Sequence, residues 1–434
     1  MRRISRRRLL GGAVLLGAGA TGLTSLTACG NGGGSGSGSG SNLRFAWWGN
    51  PDRDRRTQAA VDQFVARADR GVDTEPSNWD DYWSRLATQI SGGNPPDLMQ
   101  MDYQYIAEYA GRGALLELDD YVPDPLDLSA VPEEAVENGR IGGTLYGITM
   151  GYNTFAMMKN LQVIRDAGVD EPDHTLTWSE FAELCREIGN NTPSGVFGTQ
   201  NAMGSKETLE CWLHQRGKAL FTADGQLGYD PADLEEWFEF WQELAETGGA
   251  VDMETTSEAL PDLSDWEVPS GRGAFNFHWS NIYPAFVDVS ADEIGIGMYP
   301  QGDGAGAQPG QYYKASMLLS IPSAADDPDA AAELLQALVL DAEIAAELGF
   351  ERGVPSSEEV REVLRPDASD EELASLEYVE FVEDKVGEVP PPPPEAAGRL
   401  DDQLIFFAEE AGFGRMSIPD AVDAYFQEAT NILG

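Results

Sequence analysis

Residues Leu43 to Thr57 read LRFAWWGNPDRDRRT, and the reading of this stretch decides the fold. Leu43, Phe45 and Trp47 alternate with Arg44, Ala46 and Trp48, the period-2 pattern of a β-strand. Gly49-Asn50-Pro51 is a turn signal. From Thr57 onward, Ala59, Ala60, Val61, Phe64 and Val65 follow the spacing of an amphipathic helix. Two tryptophans therefore stand at the C-terminal end of a strand, where open α/β sheets bind ligands.

The pattern repeats downstream. Trp79-Asp80-Asp81-Tyr82-Trp83 leads into a helix through Leu86 and Ile90, which Ser91-Gly92-Gly93-Asn94-Pro95-Pro96 ends. Asp97 to Met101 is a short buried strand that runs into Asp102-Tyr103, and a helix follows from Ile106 to Gly111. Strand–helix repeats of this kind predict a mostly parallel sheet. Thr177-x-x-Glu180 is a capping box that starts a helix. Ala330 to Leu340 is an amphipathic helix, and Ser417-Ile418-Pro419-Asp420 opens the last one. Trp237, Phe238, Phe240 and Trp241 recur within one acidic helix and read as packing residues.

The chain has 434 residues, 42% hydrophobic and 24% charged, which suits a globular protein of two or three domains. Its formal net charge is −46, from 28 basic and 74 acidic residues, which argues against nucleic acid and anionic membrane surfaces as partners. Only five of the basic residues are lysine. Of the three cysteines, Cys185 and Cys211 are either a disulfide of an exported protein or two separate buried thiols.

Cys29 belongs to the leader. Arg2, Arg3, Arg6, Arg7 and Arg8 precede an apolar run from Leu9 to Leu23, the layout of a signal peptide over residues 1–28. Ser5-Arg6-Arg7-Arg8-Leu9-Leu10 resembles a twin-arginine signal, and Leu26-Thr27-Ala28-Cys29 resembles a lipobox. By that resemblance the chain is cut before Cys29, which carries a lipid. Gly30 to Ser41 is a flexible Gly/Ser linker, so residues 29–41 act as anchor and tether. No later apolar run has the length of a membrane span.

A set of blocks in order now becomes specific. The first holds Trp47, Trp48, Gly49, Arg53 and Thr57; the second Tyr82, Leu86, Ile90, Gly93, Pro96, Asp97, Leu98 and Asp102. The third holds Tyr109, Ala110, Arg112, Gly113, Ala114, Leu115, Leu118, Asp119 and Tyr121. Tyr146-Gly147-Ile148, Ala167-Gly168-Val169, Thr177 to Phe181, Gly271 to Phe275 with Trp279, Ala330 to Leu340, and Gly353-Val354-Pro355 follow. Together they resemble the extracellular solute-binding proteins of ABC sugar importers, of the maltose-binding type, over about residues 42–434.

That resemblance implies an α/β, two-lobed periplasmic-binding-protein-like class II fold with a ligand cleft between the lobes. The first lobe is expected at 42–150 plus 315–360 and the second at 151–314 plus 361–434. The chain should cross near Ile148–Asn153, near Gly306–Lys314 and after Arg352. Pro390 to Pro394 then reads as a stiff polyproline strut, between the lobes or within the second. The implied role is to bind a sugar, an oligosaccharide by preference, and deliver it to an ABC permease. The implied protein is a monomer without cofactor, lipid-anchored to the outer face of the cell membrane.

The residues also bear on chemistry directly. There is no Gly-rich phosphate loop ending in Lys-Ser/Thr and no G-x-S-x-G elbow. His174, His214 and His278 have no metal-ligand spacing with one another or with a cysteine. No catalytic residue and no metal ligand is therefore assigned. A glycoside hydrolase built on a carboxylate pair stays as an alternative. So do binding of a glycerol phosphodiester and binding of ferric ion, the latter suggested by Tyr312-Tyr313.

Sugars present flat C–H faces to Trp and Tyr rings and hydroxyls to planar polar groups. The candidates are such residues at strand ends and crossings. Trp47 and Trp48 end the first strand; they face opposite sides, and Trp48 is favoured as the stacking platform. Asn50 and Arg53 lie just beyond, with Arg53 either at the site or paired with Asp52 or Asp54. Asp102 ends a buried strand, and Trp79 and Tyr82 start a helix that faces the cleft or packs. Asn153 marks the first crossing, and Trp279 and Asn281 resemble second-lobe sugar contacts of the family. Tyr312, Tyr313 and Arg352 belong to the later crossings.

Overall fold

A computed structural model describes residues 42–434 except 69, 259–261 and 395–396. The leader, Cys29 and the tether lie outside the described residues. The strands are β1 (Leu43–Trp48), β2 (Val72–Ser77), β3 (Leu98–Met101), β4 (Arg140–Ile141), β5 (Thr144–Leu145), β6 (Ile148–Asn153), β7 (Phe155–Asn160), β8 (Phe197–Thr199), β9 (Gly273–Trp279), β10 (Ile294–Gly297), β11 (Lys314–Ser320) and β12 (Val354–Pro355). They form a six-stranded sheet in the order β12-β6-β11-β3-β1-β2, a four-stranded sheet in the order β10-β7-β9-β8, and the small β4–β5 hairpin.

The first strand shows why the large sheet sits where it does. Leu43, Phe45 and Trp47 join one buried apolar cluster, while Ala46 and Trp48 join another on the opposite face. Both faces are covered, as expected of parallel strands flanked by helices. β1 pairs in parallel with β2 and with β3. β11 runs antiparallel to β3 and β6, and β12 antiparallel to β6, so two strands are reversed and only two of the five neighbouring pairs are parallel: the sheet is mixed, not the mostly parallel one the strand–helix repeats predict.

The helix after β1 begins earlier than the apolar spacing suggests, at Pro51, and runs to Arg67. The Asn50 side chain accepts hydrogen bonds from the backbone N–H groups of Asp52 and Arg53, both at 2.9 Å. Asn50 is the N-cap and Pro51 the first helical residue, a position where proline loses no hydrogen bond. The turn signal was thus a helix start. The expected capping box at Thr177 and Glu180 is present at the helix Trp178–Asn191.

The smaller sheet carries its own core. Phe275 and Phe277 of β9 meet Trp178, Phe181, Trp237 and Trp241 in one buried cluster. Trp237 and Trp241 contact edge-on at 5.5 Å, and the Trp237 indole N–H donates to the Met203 carbonyl at 2.9 Å. Cys185 and Cys211 are separate buried thiols in this region, and burial pushes both thiols up.

The chain passes between the sheets through closely packed segments. β6 of the large sheet continues through buried Thr154 into β7 of the small one. A Cβ on Gly151 of β6 would lie 2.5 Å from the Arg352 carbonyl oxygen. Gly353 holds φ +87, and a Cβ there would meet Asn153 Oδ1 at 3.1 Å. The return passage runs through Gln311 to Tyr313, all buried, into β11. No helix of the described residues is long and apolar enough to cross a membrane.

Replacing Asn50 with Ala should lower stability by ~1 kcal/mol, and Asn50→Asp, which keeps a cap acceptor, should cost much less. Equilibrium urea unfolding of the three proteins checks this; equal midpoints would remove the cap from the account.

Candidate functional site

Helices that follow parallel strands place their N-termini at the strand ends, and two such ends face each other here. The helix Tyr103–Gly111 follows β3, with Asp102 as N-cap, its side chain accepting from the Gln104 N–H at 2.9 Å. From the small sheet come Trp279, at the end of β9, and the helix Lys206–His214. A cavity of about 240 Å3 lies between, lined by Tyr103, Gln104 and Lys314 on one side and by Lys206, Glu207, Glu210, Phe221, Trp279 and Asp401 on the other. Tyr312 of the crossing and Pro390, Pro391 and Pro393 complete the wall. Larger hollows of about 740 and 540 Å3 each draw on one side only, one of about 630 Å3 lies between residues 133–140 and residues 386–392, and this one takes residues of both sheets.

Trp279 is the aromatic centre of the wall. Its ring leans on Phe155 at 4.4 Å and meets Tyr312 edge-on at 5.9 Å. The Lys314 ammonium sits over it, 4.6 Å from the ring centre, a cation–π contact that reaches from the large sheet to the small. Around it the polar groups alternate in character. The Tyr312 hydroxyl donates to Glu210 Oε2 at 3.3 Å, and Lys206 pairs with Asp401.

Burial lifts the Glu210 carboxyl from its ordinary 4.5 to about 7, against the pull of Lys314 and aided by Glu207. Burial likewise lifts Asp102, opposed by its backbone hydrogen bond and by Lys314. Lys314 thus lies in the field of two carboxyl groups, with no ion pair of its own among the described residues. The wall offers hydroxyl, carboxyl, ammonium and ring groups within one small volume.

The cavity brings together two of the residues expected from sequence, Trp279 and Tyr312. The others lie elsewhere, each for a visible reason. Trp47 is in the core, its indole N–H donating to Asp54 at 2.8 Å. Trp48, the favoured platform, is 6% exposed, packed among Trp79, Tyr82 and Trp83 with ring centres 5.1 to 5.4 Å away. Tyr82 is buried, and its hydroxyl donates to the Gln100 carbonyl at 2.6 Å. Trp79 is 37% exposed at the rim of this aromatic group, which does not line the cavity.

Arg53 pairs with neither Asp52 nor Asp54; it bonds Glu351 at 2.7 Å, beside Asn50, whose side chain is used as a cap. Asp102 is likewise a cap next to the cavity. Asn153 is buried at the end of β6, with its Oδ1 unpartnered, and Asn281 is exposed.

Arg352 is buried, donating to Gln100 Oε1 at 3.0 Å and Thr57 Oγ1 at 2.8 Å. Burial and the nearby Arg53 draw its pKa down to about 9. Successive residues of an extended segment face opposite ways. Tyr313 therefore enters the other core and donates to the Val379 carbonyl at 2.8 Å, so the two tyrosines do not converge on one ion. Among the described residues no group of three or more His, Cys, Asp and Glu is arranged to hold a metal.

Sequence reasoning missed Tyr103, Lys206, Glu207, Glu210, Phe221 and Lys314. A signal existed for the lysines: two of only five in the chain line this cavity. None existed for Glu210, one acid among 74.

An uncharacterised lipoprotein of Streptomyces antibioticus is 27% identical over 197 residues, 44% of this chain and 41% of that protein. The chain thus spans less than half the length of the curated relatives it matches. An extracellular solute-binding protein family 1 structure from Alicyclobacillus acidocaldarius is 25% identical with a TM-score of 0.81, over 92% of this chain and 99% of that one. A periplasmic oligogalacturonide binding protein from Yersinia enterocolitica shares the fold at 21% identity and a TM-score of 0.79, over 91% of this chain and 99% of that one. These are two-lobed α/β structures, as this chain is. The profile of bacterial extracellular solute-binding proteins matches residues 59–373, and the chain belongs to that family.

Proposed function

We propose that this protein captures a sugar outside the cell and passes it unchanged to the membrane permease of an ABC transporter. A lipid on Cys29 would hold it at the outer face of the membrane. The observation that carries the sugar reading is Trp279, a half-buried ring in a cavity whose other walls bear hydroxyl, carboxyl and ammonium groups. A pyranose stacks its C–H face on such a ring and shares its hydroxyls among such groups. The oligogalacturonide binding protein of the same fold supports the ligand class.

We place the lobes at 42–150 plus 315–360 and at 151–314 plus 361–434, with closure about the crossings between the sheets. Closure follows when a ligand touches both sides, because the closed form then binds it more tightly. A glycerol phosphodiester fits less well, since the described lining holds two lysines, one of them paired to Asp401, and no arginine.

A second reading, a lipid-anchored glycoside hydrolase, draws on Glu210. A carboxyl raised to about 7 suits a general acid at neutral pH. Product formation from any bound sugar would establish it.

A thermal-shift screen against mono- and oligosaccharides, with glycerol phosphates and ferric ion as controls, tests the ligand class. A sugar at a hundred times its dissociation constant should stabilise by ~2.7 kcal/mol. A shift with a control and none with any sugar would overturn the reading. Trp279→Ala should weaken the bound sugar by roughly 1–3 kcal/mol, as at other aromatic platforms, by calorimetric titration.

Glu210 gives a pH signature without ligand. Its folded pKa is raised, so its contribution to stability is full below 4.5 and is lost as pH rises to about 7. The stability of the parent relative to Glu210→Gln should therefore be constant below pH 4.5, fall as pH rises to about 7, and be constant again above. Parallel pH curves for the two proteins would show that Glu210 keeps an ordinary pKa.

A further inference from the structure

The segment Val386 to Pro394 is neither helix nor strand, and it precedes the helix Ala397–Gly412. Its start is fixed at the crossing: the Gly387 N–H donates to the Gln311 carbonyl at 2.7 Å, and Val386 forms a bridge with Gln311. Pro390 to Pro394 are consecutive prolines, with φ locked and no N–H to give. Such a run keeps an extended, stiff shape. Midway, the Pro390 carbonyl accepts from the Tyr103 hydroxyl at 2.7 Å, and Tyr103 opens the helix after β3 on the large-sheet side. Val389 packs against apolar clusters of both sides.

This strap separates two spaces. Tyr103, Pro390 and Pro391 line both the inner cavity of about 240 Å3 and an outer groove of about 630 Å3, which Glu133, Glu134, Glu137 and Arg140 also wall. Resting on the sugar reading above, we infer that the strap is the size-determining wall of the site. It ends the inner cavity at Pro390 and Pro391, so the cavity takes the last ring or two of a saccharide and stops the chain there. The inner volume falls below the roughly 300–1,000 Å3 of pockets that engulf drug-sized ligands. Tyr103 is a positioning residue: it holds the wall by one hydroxyl.

Two measurements on the full chain test this. In amide hydrogen exchange, Tyr103→Phe should speed exchange at Gly387 and its neighbours by roughly fivefold, the worth of one lost hydrogen bond. Unchanged exchange overturns the anchoring. In calorimetric titrations with glucose, maltose, maltotriose and maltotetraose, and with the matching galacturonic acid series, the parent should gain less than about threefold in affinity beyond the disaccharide. Pro391→Gly, which removes a wall ring and leaves the Tyr103 bond, should gain about tenfold for the tri- and tetrasaccharide and little for the monosaccharide. Affinity in the parent that climbs about tenfold with the third and fourth rings overturns the wall while keeping the sugar reading. Silence of both proteins toward these series and toward every sugar of the thermal-shift screen, with a shift by one of its controls, overturns the sugar reading itself.

Discussion

One buried side chain, Gln311, ties together the three passages of chain on which the two-sheet arrangement depends. Its Nε2 donates to the Phe155 carbonyl at 2.7 Å, where β6 has just become β7, and to the Tyr378 hydroxyl at 2.9 Å. Tyr378 in turn donates to the same Phe155 carbonyl at 2.5 Å. The Gln311 carbonyl holds Gly387 at the base of the proline strap. The buried Nε2 finds its partners in segments more than sixty residues from Gln311, while its Oε1 has none. The knot therefore fixes where the sheets meet, and with it the cavity wall built by the next residue, Tyr312.

Charge acts at a second level. A chain with net charge −46 surrounds its ligands with a repelling field for anions. Within the cavity, that background meets a desolvated carboxyl, Glu210, and two of the few lysines. Lys206 is committed to Asp401, which leaves Lys314 as the ammonium that faces Trp279. A site of this make-up both donates and accepts at close range, which a polyhydroxyl ligand can exploit without carrying charge of its own.

Much of the fold was legible because it rests on periodicity. Alternation in Leu43 to Trp48 correctly put the two tryptophans on opposite faces. It could not say that both faces are buried, because an apolar residue at a strand end reads alike as core and as platform. A different ambiguity, that Asn-Pro serves turns and helix starts alike, moved Asn50 from turn to helix cap. Tyr312 and Tyr313 were both expected at the site, yet they face opposite ways: one lines the cavity, and the other fills the opposite core. The cavity's polar wall was not legible. Lys206 and Glu210 stand one turn apart on the same helix, but that helix meets Tyr103 only through packing of segments about a hundred residues apart, which no local pattern marks.

The passage from Gln311 to Lys314 has a consequence for how this chain can vary. Secondary structure begins only at Lys314, so most of the passage would pass for a loop, the kind of segment that tolerates added or lost residues. Yet its consecutive side chains serve four different masters: the crossing knot, the cavity, the large core and the tryptophan face. Losing or gaining one residue would exchange those destinations, sending a phenol where an ammonium belongs and a charge into apolar packing. A change of length is thus costly in a stretch that looks permissive.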